Sequence, residues 1–220
     1  MKASKTKFII RIIVNFLIVA CFAGMLIALQ PSNRDGALVD IGISAFKYFT
    51  TLSNLLEAIA SLLWFIVALA CRNKQIPRFF EVLKYIATVQ VFITFMVVVA
   101  FLAPIYGYVA TCSGMNFYMH IVIPLASILE QIFLCDTRIS MKVNLIAVIP
   151  PLVYGIVYII NILINGRGVY PDTNDWYGFL NWGPAIAAVI FIGILVLAFL
   201  LGLALRGLWK AVNHKALRQA

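Results

Sequence analysis

Six long runs of apolar residues divide the chain, and short polar segments separate them. A bilayer core of roughly 30 Å is crossed by about 20 residues of α-helix, so each run is long enough to span it. The connections leave no room for a separate soluble domain. The pattern predicts one all-α transmembrane domain over residues 1–220, a bundle of six helices at 8–29, 43–70, 79–103, 115–135, 143–164 and 182–205, followed by a basic tail at 206–220.

The second apolar run carries polar residues at helical spacing. Near its start is the stretch KYFTTLSN at 47–54, in which Asn54 is four positions after Thr50. Glu57 follows seven positions after Thr50. These positions share one face of a helix, with Ser53 beside them. Because polar groups in the bilayer core are costly, this stripe is expected to face the bundle interior.

A second polar stripe lies on the fourth run. His120, Ser127 and Gln131 follow the i, i+7, i+11 pattern, and Glu130 adjoins that face. Thr50 and His120 fall about seven and five residues inside their predicted spans, which places both roughly 8–10 Å below the outer boundary. The two stripes are therefore expected to meet across spans 2 and 4 and to line a common cavity, with Thr50 facing His120.

Several of these polar residues have a simpler explanation. Ser, Thr, Asn and Gln side chains often join membrane helices by hydrogen bonds worth about 0.6 kcal/mol each, which favours packing for Ser53, Asn54, Ser127 and Gln131. A threonine such as Thr50 can also bond to its own helix. His120 is the only histidine in the spans, which leaves both catalysis and packing open for it. Glu57 and Glu130 are interpreted either as protonated members of a polar network or as walls of a cavity.

Composition and charge agree with a membrane bundle. Hydrophobic residues make up 64% of the chain and charged residues 11%, and the mean hydropathy is +1.02, which excludes a soluble domain and a nucleic-acid-binding surface. Fourteen of the 17 basic residues flank alternate loops and the two termini. By the positive-inside rule both termini are expected to be cytoplasmic, with membrane lipids as partners. These basic residues are Lys2, Lys5, Lys7, Arg11, Arg72, Lys74, Arg78, Lys84, Arg138, Lys142, Arg206, Lys210, Lys215 and Arg218.

The sequence contains no motif for a disulfide, a zinc site, a phosphate-binding loop or a serine hydrolase. In the expected topology only Cys112 of the four cysteines lies outside, so no extracytoplasmic disulfide is predicted. Paired Cys/His spacings for zinc, a glycine-rich phosphate loop and a G-x-S-x-G elbow are all absent. No cofactor or metal is therefore expected.

Two short motifs carry a resemblance to a known family. KYFTTLSN at 47–54, followed about seventy residues later by MHIVIP, resembles the androgen-induced membrane-protein family, which hydrolyses fatty acid esters of hydroxy fatty acids. The VYPD segment at 169–172 is similar to the Val-Tyr-Pro loop of that family. Six-helix proteins of this kind also occur widely in bacteria, which implies a multi-pass protein of the bacterial cytoplasmic membrane. The spacing from His120 to Pro124 is one residue shorter than in the animal members, and Thr51 adjoins Thr50.

The resemblance implies a threonine hydrolase of a lipid ester, with Thr50 as the nucleophile and His120 as the general base. Asn54 and Tyr118 are alternative donors to the oxyanion, and nothing in the sequence distinguishes them.

The competing hypothesis is a small transporter or channel-like bundle that conducts protons or a small solute past Glu57 and Glu130. A closed pocket holding Thr50 and His120 would favour hydrolysis. A cavity reaching both faces past the glutamates would favour transport.

Overall fold

The protein is described by a computed structural model, which covers residues 5–28, 42–71, 75–169 and 173–217, with side chains to residue 213. This part of the chain is entirely helical and turn structure, without strands. Six of its helices are long and apolar enough to cross a membrane, so the chain is a multi-pass, all-α membrane protein. The described part omits Lys2, Arg72, Lys74, residues 170–172 of the VYPD segment and residues 218–220 of the basic tail, which include Arg218.

The six helices follow the predicted order closely. Two of them contain π-helical turns, α3 at Val98–Leu102 and α4 at Tyr118–Val122 and Glu130–Leu134. A single-turn break at Ala147 and Val148 interrupts α5. The helices are α1, Lys5–Ala28; α2, Phe49–Cys71; α3, Arg78–Tyr106; α4, Met115–Leu134; α5, Met141–Asn165; and α6, Pro184–Leu217.

Two helix ends differ from the prediction by six residues or more. The second helix was expected from residue 43, but Gly42–Lys47 forms a 3₁₀ helix and α2 begins at Phe49. Thr50 therefore lies in the first turn of α2 and not seven residues within a helix. At the other end of the chain, α6 continues 12 residues past the predicted end at 205, because the basic segment that follows is itself helical to Leu217.

Helices α1 to α4 form the inner part of the bundle. Helix α2 packs along both α1 and α3, and α4 closes the group against α1 and α3. Buried residues of α1, α2 and α4 form one apolar cluster that includes Ile18, Met25, Ala58, Met119 and Ile123. Helices α5 and α6 are more peripheral, since only 22% and 17% of their most apolar windows are buried, against 50% for α3.

Two of the basic residues counted toward the topology are not loop residues. Arg11 and Lys84 were grouped with the cations at the cytoplasmic ends of spans 1 and 3, but both are buried inside the bundle. Each lies six residues into its helix, about 9 Å from the helix end, and both have carboxylate partners there. The positive-inside pattern is therefore carried by the other basic residues.

A close contact joins α3, α5 and α6. The hydroxyl of Tyr85 on α3 has two acceptors for its single proton, Asn144 Oδ1 on α5 and the carbonyl of Gly202 on α6, the latter at 2.9 Å. A Cβ atom at Gly202 would lie 2.1 Å from Asn144 Oδ1 and 2.9 Å from Tyr85 Oη. Residue 202 must therefore be glycine for these three helices to approach as they do.

We expect Gly202→Ala to destabilise the protein by about 1–3 kcal/mol, because the added methyl group displaces the bonded Tyr85 and Asn144 side chains. Gly193→Ala is the matched control on the same helix, since a Cβ there meets nothing within 4 Å. The control should be neutral or slightly stabilising, as alanine is the better helix former. Thermal unfolding in detergent checks both variants, and equal melting temperatures would contradict the packing described.

Candidate functional site

Arg11 of α1 forms a two-pronged ion pair with Glu81 of α3. Its Nη1 and Nη2 atoms each donate to a different carboxylate oxygen at 2.7 Å. The indole Nε1 of Trp64 on α2 donates to the same carboxylate at 3.0 Å, and the guanidinium carbon lies 4.2 Å from the centre of the indole ring. The planar guanidinium group suits this bidentate and stacked arrangement, which a lysine could not reproduce.

Glu130 of α4 bridges the two buried cations. Its Oε1 atom accepts hydrogen bonds from Arg11 Nε at 2.8 Å and from Asn15 Nδ2 at 2.9 Å. Its Oε2 atom lies 2.9 Å from Lys84 Nζ. Both oxygens of this carboxylate therefore face a positive charge.

Lys84 of α3 contacts three oxygen-bearing side chains. Besides its ion pair with Glu130, it donates to Glu57 Oε1 on α2 and to Ser61 Oγ, the latter at 2.8 Å. Its side chain is completely buried, so this amine is held by protein groups alone. We call Arg11, Glu57, Glu81, Lys84 and Glu130 the ion cluster; it joins all four inner helices.

The two predicted polar stripes meet at the ion cluster. The hydroxyl of Ser127 on α4 has two acceptors for its single proton, Glu57 Oε1 on α2 at 2.7 Å and the carbonyl of Ile123 on its own helix at 2.9 Å. Glu57 and Glu130 are 0% and 1% exposed, so both face the bundle interior. They lie there in packed ion pairs.

Thr50 is positioned by groups that surround the start of α2. The backbone N–H of Phe49, which begins the helix, donates to the Tyr177 hydroxyl at 2.8 Å. Tyr154 of α5 donates to the carbonyl of Lys47 at 2.7 Å and packs its ring edge-on to Phe49. These contacts satisfy backbone groups that a helix end leaves unpaired and hold the first turn of α2 in place.

Asn54 connects the turn that carries Thr50 to the turn that carries His120. Its Nδ2 atom donates to the carbonyl of Thr50 at 2.8 Å, one turn back on α2, and to the carbonyl of Met119 on α4 at 3.2 Å. Met119 directly precedes His120. The backbones of the predicted catalytic pair thus lie at the same level of the bundle, although no hydrogen bond joins the two side chains.

His120 lies in a π-helical turn, where the N–H of Ile123 bonds to Tyr118 O, five residues back. Pro124 accounts for this turn, since it has no N–H to donate to the carbonyl of His120 four residues earlier. The ring Nδ1 atom of His120 lies 2.6 Å from the carbonyl oxygen of Thr111 in the loop before α4. In the neutral tautomer that donates this bond, Nε2 keeps its lone pair.

The remaining predicted residue, Tyr118, is on the outside of α4. Its side chain is 42% exposed and packs edge-on to Phe117. A groove of about 520 Å³ opens on the other side of α2, between its first turns, α5 and the loop that follows α5. Lys47 and Leu52, on either side of Thr50 in the sequence, both line this groove.

Sequence reasoning missed three members of the ion cluster, Arg11, Glu81 and Lys84. One signal could have found them. Glu57 and Glu130 lie within apolar runs, and carboxylates in the membrane interior are usually paired, so cations on neighbouring spans were to be expected. Among the described residues, no group of three or more His, Cys, Asp or Glu side chains has the arrangement to hold a metal ion.

Comparison with known proteins adds no relative. No family model, no curated protein and no solved structure matches the chain. The site must therefore be interpreted from its own geometry.

Cys135, which directly follows α4, contacts the ion cluster at Glu81. The reactivity of its thiol therefore reports how well this part of the cluster is buried. Its thiol is fully buried and donates to Glu81 Oε2 at 3.4 Å. Burial raises the pKa of the Cys135 thiol to about 12, so very little reactive thiolate is present near neutral pH. We expect a maleimide to label the half-buried Cys112 in the folded protein but to leave Cys135 unlabelled, even at about pH 9.

Single-cysteine variants that retain either Cys135 or Cys112 make this comparison by mass spectrometry. Denaturation should abolish the difference. Equal labelling rates for Cys135 and Cys112 in the folded protein would contradict the burial of Cys135 against the ion cluster.

Proposed function

We propose that the protein is an intramembrane hydrolase of a fatty-acyl ester, with Thr50 as the nucleophile and His120 as the general base. The observation that carries this proposal is the position of Asn54, whose amide bonds to the carbonyl of Thr50 and to the residue before His120. The resemblance of KYFTTLSN and MHIVIP to a family of threonine hydrolases supports the same pair.

The proton transfers of this reaction use only these two side chains and water. The Thr50 hydroxyl attacks the ester carbonyl while His120 Nε2 takes its proton, and the proton then passes to the leaving alkoxide as the ester C–O bond breaks. Water, deprotonated by the same imidazole, attacks the acyl-threonine. The acid is released and the proton returns to Thr50.

Two features of His120 suit it to act as the base. The bond from Nδ1 to the Thr111 carbonyl fixes the ring orientation and the tautomer, which is the part that a carboxylate plays in the serine-protease triad. The π-helical turn displaces the side chain from regular helical spacing, and such turns are frequent at functional sites.

The lipid substrate would reach Thr50 from the side of the bundle. The groove beside Lys47 and Leu52 has a volume within the usual range for small-molecule sites and adjoins the first turn of α2, although neither Thr50 nor His120 is among its lining residues. We place this end of α2 at the outer boundary of a bacterial cytoplasmic membrane, with both termini cytoplasmic, on the positive-inside pattern of the remaining basic residues.

The transport hypothesis has less support. Conduction past Glu57 and Glu130 needs an open path at their level, whereas both carboxylates are buried in close ion pairs with Lys84. The interior is packed there, so transport would require the ion cluster to come apart.

Hydrolysis by the purified protein tests the proposal. Wild-type protein in detergent should hydrolyse members of a panel of fluorogenic acyl esters, and Thr50→Ala or His120→Ala should each lower turnover at least about 100-fold. Thr51→Ala is the matched control and should retain activity. The double variant Thr50→Ala/His120→Ala should be hardly slower than either single variant, because residues that act as one unit are not additive.

Two results would contradict the proposal. One is activity that follows the folded fraction in every variant, which would make Thr50 and His120 structural. The other is a wild-type protein that hydrolyses no ester on the panel but dissipates a proton gradient in liposomes, which would replace hydrolysis with transport.

A further inference from the structure

The ion cluster holds more carboxylates than cations. Glu57, Glu81 and Glu130 are opposed by Arg11 and Lys84, and all five side chains are at least 95% buried. If every group were ionised, the cluster would carry one uncompensated negative charge in the bundle interior. An unpaired buried charge is penalised heavily, and such groups usually become neutral instead.

Each oxygen of Glu81 and Glu130 lies against a cation, although Glu130 Oε2, 2.9 Å from Lys84 Nζ, makes no aligned hydrogen bond. Both oxygens of Glu81 accept from Arg11, and those of Glu130 face Arg11 and Lys84. These arrangements match ionised carboxylates, which only accept hydrogen bonds.

Glu57 differs from the other two carboxylates. All of its recorded bonds end on one oxygen, since Lys84, Ser127 and Ser61 each donate to Oε1. The other oxygen, Oε2, is buried and has no hydrogen-bond partner. A carboxylic acid has this asymmetry, with one oxygen that accepts and one that carries a proton.

We infer that Glu57 is the proton-binding site of the ion cluster and that it holds a single proton in the resting protein. The charge balance of the ion cluster favours this assignment: Arg11 and Lys84 supply two positive charges against three carboxylates, and Glu57 is the carboxylate whose hydrogen bonds all end on one oxygen. The proton makes the cluster neutral as a whole. This inference does not depend on hydrolysis at Thr50 and His120.

Infrared spectroscopy of the purified protein near neutral pH tests the inference directly. A buried carboxylic acid gives a C=O stretching band that an ionised carboxylate lacks. We expect one such band in the wild type, its loss in Glu57→Gln and its retention in Glu130→Gln. Absence of the band from wild type, or its persistence in Glu57→Gln, would overturn the assignment.

Thermal stability gives a second readout from the same variants. Glutamine imitates a protonated glutamate, so Glu57→Gln should melt within about 3 °C of wild type. Glu130→Gln leaves Arg11 and Lys84 short of a negative charge and should melt about 10 °C lower or fail to fold. If Glu57→Gln is instead as damaging as Glu130→Gln, then Glu57 is ionised and the proton is not bound there.

Discussion

Five ionisable side chains meet where α1, α2, α3 and α4 come together, and their mutual pairing constrains how these helices can pack. Removing an ionised member leaves a buried charge without its partner, at a cost of about 3–5 kcal/mol. Apolar helices can slide or rotate against one another in lipid with little penalty, because lipid tails are as apolar as leucine. Arg11, bonded to both Glu81 and Glu130, allows one register only.

The polar interior changes character along the bundle. At the level of Arg11 and Lys84 it is charged and tightly paired. Beyond Glu57 it continues as neutral groups, among them Ser53, which bonds to Thr94 on α3, and Asn54. The ion cluster thereby holds α2 and α4 in the alignment that brings Thr50 and His120 to one level. Helix α5 and the loop that follows it add the groove and the contacts that hold the start of α2.

Periodicity alone predicted much of this arrangement. The six helices and the two stripes follow from spacing, and the bond between Ser127 and Glu57 joins those stripes. Arg11 and Lys84 were misplaced because each lies near the end of an apolar run, and a long basic side chain there can reach either the headgroups or the interior. Local spacing does not distinguish these two outcomes, since the deciding partners lie on other helices. The start of α2 was also wrong, because a 3₁₀ turn at Gly42–Lys47 continues the apolar pattern without being part of the helix.

The coupling between Arg11 and Glu81 measures most directly whether the ion cluster holds the inner helices together. A double-mutant cycle of Arg11→Met, Glu81→Gln and the double variant, unfolded in mixed micelles, gives this energy. We expect a coupling energy of about 1.5 kcal/mol or more. The double variant should then lose less unfolding free energy than the sum of the losses in the two single variants. A coupling below about 0.5 kcal/mol would contradict the account, because the two residues would then contribute independently.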